Sequence, residues 1–132
     1  MSSFKAFRIH DIDRRIVARF DRITLDDLGP GEVVVRVRYS DINYKDALAA
    51  TGTGRILRRY PLVGGIDLAG EVESSADPRY APGQPVLVTG CGLSETHDGG
   101  YAEYARLKGD WVIPLPPGMS TLEAMKLGTA GF

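Results

Sequence analysis

The sequence predicts a compact, mostly β domain folded as a partly open barrel with short helices. Three observations carry that prediction. Six or seven short stretches show strand-like alternation, Gly- and Pro-rich turns separate them, and helix-compatible segments are few. No internal repeat is visible.

The first strand runs from Phe4 to Ile9, and a polar turn around Asp11 and Asp13 leads to a second from Ile16 to Phe20. Asp26-Asp27-Leu28-Gly29-Pro30-Gly31 is dense in turn formers. It delivers the chain into Glu32 to Tyr39, the strongest strand signal present, where Val33, Val35 and Val37 mark an inward face. Tyr44 to Ala50 suits a short helix, broken by Thr51-Gly52-Thr53-Gly54. Further strands follow at Leu68 to Ser74 and at Pro85 to Thr89, where the proline fits only a first or edge position. Tyr101 to Leu107 alternates again, Trp111 to Pro114 is a short apolar strand, and a helix begins at Thr121.

With 132 residues, 43% hydrophobic and 25% charged, the chain can bury a core as one domain. A formal net charge of -1 argues against nucleic acid as a partner, because binding its backbone requires a concentrated cationic field. Arg55, Arg58 and Arg59 form one cationic knot, either solvated loop charge or a contact for a phosphate-bearing ligand. Cys91 is the only cysteine, which excludes an internal disulfide and a four-cysteine zinc knot. Met1 to Phe7 lacks the apolar core of a signal peptide, and no run reaches membrane-spanning length, so no membrane partner and a cytoplasmic location are expected.

Several separated blocks give the chain a family likeness: Asn43-Tyr44-Lys45-Asp46-Ala47-Leu48, Ile56 to Val63, Gly65-Ile66-Asp67-Leu68-Ala69-Gly70, His97 to Tyr104, and Leu127 to Phe132. On these the sequence resembles the medium-chain dehydrogenase/reductase superfamily, and within it the quinone-oxidoreductase-like branch that includes acrylyl-CoA reductases. The resemblance implies a GroES-like catalytic domain over residues 1–119. It also implies that residues 120–132 begin a connecting helix toward a nucleotide-binding Rossmann domain that the chain lacks. NADPH is the implied cofactor, held mainly by that other domain. Neither Thr51-Gly52-Thr53-Gly54 nor Thr89-Gly90-Cys91-Gly92 has the spacing and following helix of a nucleotide fingerprint. The closing run Leu127 to Phe132 reads as helix interior, so the chain is expected to be a fragment, inactive alone.

Zinc-dependent relatives take ligands at positions that match Asn43 and Ile66. An isoleucine binds no metal and an amide is a poor replacement for a thiolate, so no zinc is expected. Asn43 and Asp67 are the catalytic candidates. Asn43 either aims its amide into a cleft or fixes its own turn, and Asp67 would need hydrogen-bond partners if buried. Tyr44 and Thr129 are implied cofactor contacts, while Arg58 and Arg59 are candidate substrate contacts for the phosphates of a CoA ester. Asp46 caps or braces the short helix, and Tyr101, Tyr104 and Trp111 read as core or rim.

For the intact parent, the resemblance implies reduction of an activated C=C bond in an enoyl thioester, with a homodimer as the expected assembly. A quinone reductase fragment and a non-catalytic binding or structural module are the rival readings.

Overall fold

The computed structural model describes residues 3–52 and 57–131, with side chains through residue 126. Eight strands and two helices are described: β1 (Phe4–Ile12), β2 (Arg15–Ile23), β3 (Val33–Ser40), α1 (Tyr44–Thr51), β4 (Leu62–Val63), β5 (Asp67–Ser75), β6 (Pro85–Thr89), β7 (Tyr104–Leu107), β8 (Ile113–Pro114) and α2 (Thr121–Gly131). Pro85 is the first residue of β6, where its missing N–H costs no interior ladder bond.

The expected barrel does not form. The strands make two separate sheets, one of three strands in the order β2-β1-β4 and one of five in the order β7-β3-β5-β6-β8. Each keeps two edges, and every strand pairing within them is antiparallel. With α1 and α2 the domain is a mixed α/β fold rather than a mostly β barrel. Closure fails because β4 offers only two residues, paired with Arg8 and Ile9, and the ladder ends there.

The segment 98–103 joins the sheets instead, through irregular backbone bonds. Gly99 N donates to Val63 O (2.8 Å), Tyr101 N to Gly64 O (2.9 Å) and Phe7 N to Tyr101 O (2.7 Å). On the other side, Val37 N donates to Glu103 O (2.9 Å). Asp98 adds two charged acceptors, taking Gly29 N at 2.8 Å and Val63 N at 2.9 Å.

The main core follows the alternation read in β3. Val33 and Val35 are buried with Leu68, Val72, Val86, Val88 and Leu107, and Val37 packs at the margin. Each such side chain removed from water contributes on the order of 1.5–3 kcal/mol. A helix covers part of the opposite face: Ala124 and Met125 of α2 pack on Ala69 and Leu87, burying β5 from both sides. Gly65 turns the chain between β4 and β5 at φ +94, and a Cβ there would lie 2.7 Å from the Tyr101 ring.

Candidate active-site cleft

A cleft of about 700 Å³ opens where β1, β2, the end of β3 and α1 meet the 98–103 segment. Its apolar wall includes Phe7, Phe20, Val37 and Ile42, and Lys5, Arg38, Asp41, Asp46 and Glu103 bring charge to it. Phe20 and Ile42 are exposed large apolar side chains at 66% and 84%, a surface that favours a ligand or partner.

Asp41 and Asp46 line the cleft, and a polar cluster grows behind them from the start of α1. Asn43 is the cap residue and has extended backbone angles, and its N–H donates to Asp46 Oδ2 at 2.9 Å. Asp46, buried in the first helical turn, also accepts Ile66 N on Oδ1 at 3.0 Å. One carboxylate thus starts the helix and ties it to the approach to β5.

The Asn43 side chain faces inward. Its Nδ2 lies 2.9 Å from Asp41 Oδ1, 2.9 Å from Asp67 Oδ2 and 3.3 Å from Asp46 Oδ2. Asp67 is fully buried as the first residue of β5. Tyr101 closes the group, its hydroxyl donating to the Asp41 backbone carbonyl at 2.7 Å. Burial, then the Asp67 carboxyl beside it, push Asp41 up from an ordinary 3.8 to about 7, against the opposing hydrogen bond from Asn43. Burial and the nearby carboxylates, Asp46 first among them, push the Tyr101 hydroxyl above its usual range.

The structure therefore brings Asn43 and Asp67 together. Tyr44 stands 80% exposed on the first turn of α1 and does not line the cleft. Arg58 and Arg59 are exposed on the strand-free segment before β4 and do not line the cleft. Arg58 lies 3.8 Å from Glu95, which also binds Lys45 at 2.8 Å. Arg55 and the side chain of Thr129 lie outside the described residues.

Sequence reasoning missed Asp41 and Tyr101 as members of this cluster. Asn43 and Asp46 have the spacing of a helix-capping pair, which signals their contact, but nothing local announces Tyr101 as a partner of Asp41.

The positions matching zinc ligands do not fit a metal. Asn43 turns its nitrogen, a donor, toward three carboxylates, and Ile66 is buried and apolar. Among the described residues no group of three or more His, Cys, Asp or Glu could hold a metal ion. No described helix is long and apolar enough to cross a membrane.

Comparison with known proteins places the chain in a family. The family model described as "Alcohol dehydrogenase GroES-like domain" matches residues 29–117. The chain is 47% identical over 128 residues to "Probable acrylyl-CoA reductase AcuI" of Escherichia coli (strain K12), covering 97% of this chain and 40% of that protein. It is 52% identical over 110 residues to "Putative quinone oxidoreductase YhfP" of Bacillus subtilis (strain 168), covering 83% of this chain and 33% of that protein. Among solved structures, the yhdH oxidoreductase from Salmonella enterica in complex with NADP superposes with a TM-score of 0.93 at 48% identity, covering 96% of this chain and 39% of that one. The chain thus spans 33% to 40% of the length of these curated relatives. It belongs to the alcohol dehydrogenase GroES-like domain family, in the quinone-oxidoreductase-like branch of the medium-chain dehydrogenase/reductase superfamily.

Proposed function

We propose that this chain is the substrate-side domain, residues 1–119, of an NADPH-dependent reductase of enoyl thioesters of the acrylyl-CoA type. On this reading residues 120–132 lead toward a nucleotide-binding domain, the parent works as a cytoplasmic homodimer, and the 132-residue chain alone does not turn over. What supports it most is the 47% identity to an acrylyl-CoA reductase relative across 97% of this chain.

When bound, NADPH supplies the hydride for the β-carbon of the thioester. Tyr44 is assigned to the nicotinamide end, where its exposed ring and hydroxyl suit a planar ligand, and Thr129 is assigned as a second cofactor contact. Asn43 is assigned to the floor beneath the substrate, with Asp67 holding its amide. Both amide hydrogens of Asn43 face carboxylates, so it positions more than it donates. Phe7, Phe20 and Ile42 exclude water, which strengthens every charge interaction at the reacting atoms. Lys5 brings positive charge to the cleft in which the enolate would develop, and Arg58 and Arg59 are assigned to the CoA phosphates.

The test is loss of NADPH absorbance when acrylyl-CoA is added to the complete polypeptide that carries these residues, with saturation and competition by free CoA. No turnover of any enoyl-CoA would overturn the reading. The similarity to a protein named as a quinone oxidoreductase favours a second reading, in which a quinone is reduced and free CoA has no effect.

A further inference from the structure

We propose that a proton held on Asp41, beside the buried Asp67 carboxyl, acts as a pH-sensitive lock on the orientation of Asn43 behind the cleft wall. An amide nitrogen carries two hydrogens, and here three carboxylate oxygens surround it at 2.9, 2.9 and 3.3 Å. The longest of these belongs to Asp46, whose charge already draws on the backbone N–H groups of Asn43 and Ile66. Asp41 and Asp67 therefore take the two amide hydrogens. Set against the same nitrogen, the two carboxyls are also close enough to act directly on each other.

Two carboxylates so placed, one fully buried and one half-buried, do not both ionise cheaply. Among the described residues the nearby cations are engaged elsewhere: Arg38 Nε binds Glu71 at 2.9 Å, Lys45 Nζ binds Glu95 at 2.8 Å, and Lys5 Nζ lies 5.5 Å from the Phe20 ring centre. Lys5, Tyr39 and Glu103 are the other ionisable groups lining the cleft, and Glu103 Oε2 accepts the Lys5 backbone N–H at 3.4 Å. Tyr101 is a neutral donor to the Asp41 carbonyl.

With the proton present, both carboxyls stay in place and the amide is clamped between them. Once it leaves, repulsion from Asp67 drives Asp41 toward the open cleft, because Asp41 sits on the short link between β3 and α1. Asn43 then loses one of its two carboxyl partners. The device rests on charge geometry and needs no cofactor, so its failure leaves the reading of the parent reaction standing.

The sign follows from an Asp41 raised from 3.8 to about 7. Its contribution to stability is complete below the ordinary value and is lost as pH rises through about 7. Carboxyl carbon NMR on the 132-residue chain with labelled aspartate, titrated from about pH 5 to 9, tests it. The expected result is an Asp41 resonance titrating near neutrality, with the Asn43 side-chain amide signals moving at the same midpoint. Asp41→Asn, which keeps the shape and removes the proton, should abolish both inflections. An Asp41 carboxyl titrating in the ordinary range, or Asn43 signals that stay fixed through its titration, would overturn the proposal. Should Asp41→Asn fail to fold, the wild-type titration decides alone.

Discussion

Replacing Asp46 by alanine breaks the polar anchor of the site without touching the hydrophobic core. The substitution strips the acceptor from the Asn43 N–H at 2.9 Å and the Ile66 N–H at 3.0 Å, and loosens the 3.3 Å contact to the Asn43 amide. A buried backbone donor left without a partner costs about 1–3 kcal/mol, and loss of a helix cap about 1 kcal/mol. Relief of repulsion between Asp46 and Asp41 works the other way. The net expectation is a loss of about 2–4 kcal/mol, a large share of the roughly 5–15 kcal/mol that holds a domain folded. Urea unfolding followed by circular dichroism should show a lower midpoint at an unchanged slope. Asp46→Asn keeps one carbonyl acceptor and should fall between wild type and alanine. An alanine variant within about 0.5 kcal/mol of wild type would show that this carboxylate does not tie α1 to β5.

Two other variants probe how the sheets are held. Asp98→Ala removes the shared acceptor of Gly29 N and Val63 N, and should cost about 2–4 kcal/mol by the same urea assay. Gly65→Ala places a methyl against the Tyr101 ring at a left-handed backbone angle and should cost about 2–4 kcal/mol. Gly83→Ala serves as its control, with φ +88 and open space around it, and should cost about 1 kcal/mol from the backbone alone. Equal losses in the two glycine variants would refute the packing role of Tyr101.

Strand identity was legible wherever side chains alternated. Val33, Val35 and Val37 announced β3 and its inward face, and Pro85 marked the start of β6. β4 was invisible because Leu62 and Val63 are too short to show a period, and only their pairing with Arg8 and Ile9 makes them a strand. The barrel was misread for a related reason: alternation tells which residues extend but not which edges meet. At the site, Asn43 and Asp67 were each legible as candidates but not as partners, and the structure puts 2.9 Å between their side chains. Tyr101 was not, since its partner Asp41 lies 60 residues away in the chain.

The backbone seam along 98–103 also governs how the cleft responds to an occupant. Because its peptide groups are bonded to β1 and β4 on one flank and to β3 on the other, the two walls behave as one solid piece. Accommodation therefore falls to rim side chains such as Phe20 and Ile42, which swing on fast rotamer timescales. Ligands of different length are met by the same floor and a different arrangement of the rim.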